Sequence, residues 1–213
     1  MLTRLAAMIL SVSLGANAAV AGGFAQPPVV ENARVALPMP IQVKAPTREQ
    51  VRKALAARRA KNLAAFRAYR NGGVYPHNFV RMGPLNVWMD AQGHLCAAAT
   101  MIDKDGKHQL VLDTAATNNQ IRLLDVTEGP LMDWLLTSGF TLEEIDRIQA
   151  PMIYPDYPVL GKDWEKQVDA DLAAGYAATD KFLVSHQKAG LDSAVTRLMA
   201  NPLLARKLVD GKI

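Results

Sequence analysis

The chain has 213 residues, of which 50% are hydrophobic and 21% are charged, with a formal net charge of +4. This balance is typical of a globular protein and excludes a wholly disordered chain, which lacks the apolar residues for a core. The single cysteine, Cys96, excludes an intramolecular disulfide, and no apolar run after the first 21 residues reaches the roughly 20 residues that span a bilayer.

The first 21 residues have the layout of a cleavable signal peptide. Arg4 precedes an almost wholly apolar run at 5–14, and two Ala-x-Ala sites follow at 16–18 and 19–21. This order is typical of a segment that directs export, and the apolar run is too short to span a membrane. We therefore expect residues 1–21 to be removed and the mature protein to be periplasmic or secreted, with no transmembrane segment.

Prolines dominate the next stretch, residues 22–46. Five of them interrupt both helix and central strand, because proline lacks the backbone N–H that either structure requires. They are Pro27, Pro28, Pro38, Pro40 and Pro46. We expect this stretch to be a disordered linker or arm.

A long helix is predicted to begin after Thr47. Thr47 and Gln50 fit a capping box, in which each side chain satisfies a backbone N–H group of the first turn. Apolar residues then recur at helical spacing, and Gly72 and Gly73 supply the left-handed end of the helix. The apolar positions are Val51, Leu55, Leu63, Phe66 and Tyr69.

Charge is distributed unevenly along the chain. Residues 44–81 hold ten Lys and Arg against one Asp or Glu, whereas residues 82–213 hold twelve against eighteen. One explanation is that the basic helix packs against an acidic body of its own domain, since charged runs are usually solvated faces. The other is a basic face for an anionic partner. Its candidate binding residues are Arg52, Arg58, Arg59 and Arg67.

A β-hairpin is predicted between residues 85 and 97, with a first strand at 85–89 and a turn at Asp90 and Gly93. A further strand is predicted at 121–125, and the proline–tyrosine stretch 151–158 is interpreted as a loop at a subdomain boundary. Capping boxes, prolines at first helical positions and apolar periodicity predict the remaining helices. These lie at 97–102, 108–117, 130–137, 141–148, 164–190, 191–199 and from 202 onward.

The predicted fold class is α+β and mainly α-helical, with a small β-hairpin packed against several helices and a disordered N-terminal arm. Residues 47–158 form a helical domain with the hairpin at its centre. Residues 159–213 supply C-terminal helices that pack on the same domain.

Cys96 is the strongest candidate for catalysis. A helix that begins at residue 97 places this thiol at a helix N-terminus, where backbone N–H groups stabilise thiolate. His94 lies on the same face of the predicted strand, and His77 is a second potential base. The alternative is a buried, inert cysteine, which is the commoner fate of a lone thiol.

No metal or cofactor is expected. His77, His94, Cys96 and His108 do not have the paired spacing of known zinc motifs. The chain also has no glycine-rich phosphate loop.

Motifs between residues 69 and 154 resemble those of an uncharacterised family of predicted secreted bacterial proteins. They are Tyr75-Pro76-x-Asn78, Val87-x-x-Asp90-x-x-Gly93-x-x-Cys96-Ala97, Leu110-Val111, Asn118-Asn119, Trp134-Leu135 and Ser138-Gly139-x-Thr141-x-Glu143-Glu144-x-x-x-Ile148-Gln149. The family has no assigned activity, so the resemblance implies no catalytic role. It implies that the Asp90–Cys96 hairpin and the Asn118-Asn119 turn form the centre of the domain.

Two hypotheses of function follow from these observations. The first is an exported, non-enzymatic envelope or secreted protein that has a binding or structural role. Its partner would be an anionic envelope component or a protein, and not nucleic acid, since the chain is exported. The second is a thiol-dependent or metal-assisted hydrolase centred on Cys96, with His94 or His77 as its base.

Overall fold

Helices dominate the computed structural model, which describes residues 45–155 and 163–213. In these ranges the helices are α1 (Arg48–Gly72), α2 (Ala97–Lys104), α3 (His108–Asn118), α4 (Gly129–Thr137), α5 (Leu142–Ile148), α6 (Trp164–Ser185), α7 (Gln187–Met199) and α8 (Pro202–Val209). The strands are β1 (Gly83–Leu85) and β2 (Met152–Tyr154), which pair antiparallel. The predicted mainly helical α+β class is thereby confirmed.

The predicted signal peptide and nearly all of the predicted arm lie outside the described residues. The described part belongs to one unit, Val43–Ile213. Among the helices in the described ranges, none combines the length and apolarity that crossing a bilayer requires.

Local capping explains where several helices begin. Thr47 and Gln50 form the predicted capping box of α1, and Thr141 and Glu144 form that of α5. The helix α8 starts with Pro202 behind the Asn201 cap, whose side chain accepts an N–H of the first turn. These sequence predictions are confirmed, because each signal acts over three residues and needs no tertiary contact.

The helix α1 joins two apolar cores. Its N-terminal half packs against α7 and α8 through residues Val51, Leu55, Leu191, Val195 and Leu204. Its C-terminal half enters the larger core, whose biggest fully buried side chains include Phe66, Trp88, Trp134, Phe140 and Tyr176. The C-terminal helices and the central region therefore share α1 as their common packing surface.

The strand pairing differs from the predicted hairpin. At residues 85–97 the structure has only one antiparallel bridge, Met89–Leu95, because α2 begins directly afterwards. The sheet is instead formed between β1 and β2, with Leu85 opposite Met152. The backbone of Met89 bonds to the side chain of Asn119, which donates to its carbonyl and accepts from its N–H.

Three other element predictions are corrected. The stretch 151–158 is not all loop, since it contains β2. The predicted strand at 121–125 is a 3₁₀ turn at Leu123–Asp125. The long helix predicted to reach residue 190 ends at Ser185, and α7 starts after His186.

Candidate functional site

Cys96 is a buried helix cap. Its side chain is 2% exposed, and its sulfur accepts a hydrogen bond from the Ala99 N–H at 3.5 Å, at the start of α2. Burial raises the pKa of the Cys96 thiol to about 11, and hydrogen bonds from backbone N–H groups offset this only in part. The thiol is therefore neutral at physiological pH, whereas a nucleophile requires the thiolate.

The two candidate histidine bases are each held by an aspartate. The Nδ1 atom of His94 lies 2.9 Å from Oδ2 of Asp90, and its side chain is 40% exposed. The Nε2 atom of His77 lies 3.1 Å from Oδ1 of Asp169 on α6. Within the described ranges neither imidazole forms a hydrogen bond with the sulfur of Cys96, so no hydrogen-bonded thiol–imidazole pair is assembled there.

The remaining candidate ligand, His108, lies on the surface. Its Nδ1 atom is 2.7 Å from Oδ1 of Asp103, and its side chain is 70% exposed. Among the residues that the structure describes, no group of three His, Cys, Asp or Glu side chains is arranged to hold a metal ion.

The four candidate binding arginines of α1 all contact carboxylates of the same chain. The pairs are Arg52–Asp192, Arg58–Asp105, Arg59–Glu144 and Arg67–Asp180. The carboxylates come from α5, α6, α7 and Asp105, the residue directly after α2. This arrangement is the packing of a basic helix against an acidic body of the same chain.

The Arg59–Glu144 pair is buried, with side chains 3% and 2% exposed. The two guanidinium Nη atoms donate to the two carboxylate oxygens at 2.6 and 2.7 Å. The guanidinium also donates to the carbonyls of Gly139 and Leu183, and Glu144 accepts the Thr141 N–H. Both charged groups have their hydrogen-bond partners, so the ion pair is a structural clamp, which here means that it holds α1, α5 and α6 together.

An open groove runs between α6 and the chain around β2. It has a volume of about 320 Å³. One wall is a single face of α6, formed by Trp164, Gln167, Val168, Asp171, Leu172 and Gly175. The opposite wall is formed by Ala150, Pro151, Ile153 and Pro155. We call this feature the α6 groove.

Aromatic side chains fix one end of the α6 groove. The ring of Trp164 meets those of Tyr154, Phe79 and His77, with centroid distances of 5.2, 5.7 and 5.9 Å. The contact between His77 and Asp169 ties this cluster to α6. His77 therefore packs within this aromatic wall.

Two exposed apolar side chains lie along the α6 groove. Ile153 of its wall is 51% exposed, and Phe79, whose ring meets that of Trp164, is 54% exposed. Contiguous exposed apolar side chains are typical of an interaction site.

Sequence analysis did not identify the α6 groove. Trp164, Val168 and Leu172 recur at helical spacing, which predicts an amphipathic helix and normally marks its buried face. Nothing in this periodicity indicates whether the opposing wall closes over the helix or stands away from it. A stretch rich in proline and aromatic residues beside the helix was the one available signal.

Comparison of the chain with protein-family models, with curated proteins and with solved structures finds no match in any of the three. No relative's activity or ligand is therefore transferred to this chain.

Proposed function

We propose that this protein is an exported binding protein without catalytic activity, and that the α6 groove is its binding surface. The observation that carries the proposal is an open apolar groove whose rim includes Phe79 and Ile153, each more than half exposed. Concave apolar surfaces with a few polar groups are the usual form of ligand sites. Export is proposed from the leader-like segment 1–21 alone.

The groove has better support than the basic face of α1. The four arginines considered for anion binding already contact carboxylates. The ion pair between Arg59 and Glu144 is buried. An anionic envelope polymer would have to displace these partners. A protein partner that binds the apolar groove has no such competition from the described residues.

The hydrolase hypothesis has weaker support. It requires an ionised or readily ionised thiol with a base beside it. The pKa of Cys96 is raised by burial, and its sulfur accepts a hydrogen bond from the Ala99 N–H.

A neutral fluorescent probe, N-phenyl-1-naphthylamine, tests the proposed function. We expect its emission to rise when it enters the groove of the wild-type protein. Ile153→Asp places a charge on the groove wall and Gly175→Met fills one end, so both variants should bind the probe at least fivefold more weakly. Leu203→Asp is the matched control, because Leu203 is an exposed apolar residue of α8 outside the lining.

Thermal unfolding of each variant shows that it is folded before the probe is added. Unchanged probe binding in both folded groove variants would refute the groove as a binding surface. An equal loss in Leu203→Asp would show that the probe reports general surface apolarity.

A further inference from the structure

We propose that the α6 groove binds an extended peptide segment of about five residues whose apolar side chains are followed by a lysine or arginine. This inference rests on the proposed function and names the class of partner. It is carried by the length of the groove, by the charge of its lining and by an unexplained glycine in α6.

The dimensions of the groove suit an extended chain. The lining residues of α6 run from Trp164 to Gly175, which is about 16 Å at the helical rise of 1.5 Å per residue. About five residues of an extended strand, at roughly 3.3 Å each, cover this length.

The charge of the groove lining favours a positively charged partner. Asp171 is the only charged side chain among the described lining residues, and it is exposed. Its hydrogen bond comes from the neutral Nε2 of Gln167 at 3.0 Å, and no cation of the described chain forms an ion pair with it. A lysine or arginine of the partner would supply that missing cation. A fatty acid or an anionic lipid would instead bring a second negative charge to it.

Gly175 lies one helical turn beyond Asp171, in the interior of α6. Glycine in a helix interior costs stability relative to alanine. A Cβ at this position would meet no atom within 4 Å, so packing within the described structure does not require the glycine. The bare backbone at Gly175 leaves room for a partner chain to pass close to α6, one helical turn from the carboxylate of Asp171.

Three peptide libraries test this inference. Each contains acetylated, amidated pentapeptides with four positions drawn from valine, leucine, proline and phenylalanine. The terminal position is lysine, norleucine or glutamate. Binding is followed by the emission of Trp164, since Trp88 and Trp134 are fully buried and supply a constant background. The signal should vanish in Trp164→Phe.

We expect the lysine library to bind about threefold more tightly than the norleucine library, the size of an exposed ion pair. The glutamate library should bind most weakly. Asp171→Asn should lower the ratio of lysine-library affinity to norleucine-library affinity from about three to about one. Glu165→Gln is the matched control, because Glu165 is an exposed carboxylate of α6 outside the lining, and it should retain the preference.

Equal binding of the three libraries would refute the proposal that the partner carries a basic side chain. Decanoate and decyltrimethylammonium, used below their micellar concentrations, test whether an acyl chain occupies the groove. If either binds more tightly than every peptide, the proposal of a peptide partner is refuted. In both cases the naphthylamine probe still reports whether the groove binds apolar ligands. Failure of that probe together with all peptides would refute the proposed function itself.

Discussion

Gly190 of α7 lies against the carboxylate of Glu144, so closely that a Cβ on Gly190 would stand 2.6 Å from Oε1 of the glutamate. Because that carboxylate is already fixed by Arg59, the missing side chain lets α7 pack on a buried ion pair. One glycine thus controls how closely α7 approaches α5.

Replacing Gly190 by alanine should destabilise the protein. The added Cβ has to displace the Glu144 carboxylate, which would stretch its hydrogen bonds to Arg59 in a buried environment. We expect a loss of about 2–4 kcal/mol in the free energy of unfolding, measured by urea denaturation. An unchanged free energy would show that the carboxylate can move at no cost.

The same substitution at Gly175 should have the opposite effect. A Cβ there meets open space in a helix interior, so Gly175→Ala should raise the free energy of unfolding by about 0.5–1 kcal/mol. It should also weaken binding of the lysine library, because the new methyl group occupies the groove. A more stable variant with undiminished peptide affinity would mean that Gly175 has no part in binding.

Replacing Arg59 by methionine should lower the free energy of unfolding far more than replacing Arg52 by methionine. Arg59→Met leaves the Glu144 carboxylate buried without its cation, for which we expect a loss of about 3–5 kcal/mol. Arg52→Met removes a partner of Asp192 near the surface, with side chains 36% and 45% exposed, and should cost less than about 1 kcal/mol. Similar losses in the two variants, measured by urea denaturation, would contradict the structural clamp.

The Cys96 thiol should be unreactive toward alkylating reagents in the folded protein. Its thiol is buried and neutral, so iodoacetamide at pH 7 should label the native protein far more slowly than the urea-unfolded chain. Mass spectrometry of samples quenched at intervals measures both rates. Rapid labelling of the native protein would revive the hydrolase hypothesis.

The same thiol predicts a pH dependence of stability. Its pKa rises from 9.0 in the unfolded chain to about 11 on folding. Below pH 9 both states keep the proton, and between pH 9 and 11 the unfolded state loses it first, so stability falls as pH rises. Burial also raises the pKa values of Tyr69 and Tyr176, which act in the same direction. In Cys96→Ala the alkaline loss should be smaller, as measured by denaturation at pH 8 and 10.5.

Export makes a prediction about the N-terminus. If residues 1–21 direct secretion, protein recovered from the periplasm or the medium should begin after Ala18 or Ala21. Intact-mass spectrometry of the native protein gives the answer directly. Material with Met1 in the cell interior would remove the basis for proposing export.

Local signals predicted much of the helical structure. Three of these signals act within a single helical turn, so they can be identified from the sequence alone. They are the caps at Thr47 and Thr141 and the proline after Asn201. The β1–β2 pairing is different, because it joins Leu85 to Met152, and no local pattern specifies so distant a partner.

The candidate sites depended even more on packing. Arg52 and Arg59 are equivalent in sequence, as arginines seven residues apart on one helix, yet one is near the surface and the other is buried. Cys96 was correctly placed at the start of a helix, but its pKa follows from burial, which raises it more than the helix start lowers it.

The carboxylates held by α1 set a limit on how far the chain can be trimmed from its N-terminal side. A protease that stops before Thr47 spares the helix and its cap. One that cuts after Arg59 leaves Asp192 near the surface and Glu144 in the interior without the arginines that pair with them. We therefore expect a fragment that lacks Arg59 to unfold at a lower urea concentration than one that begins at Thr47.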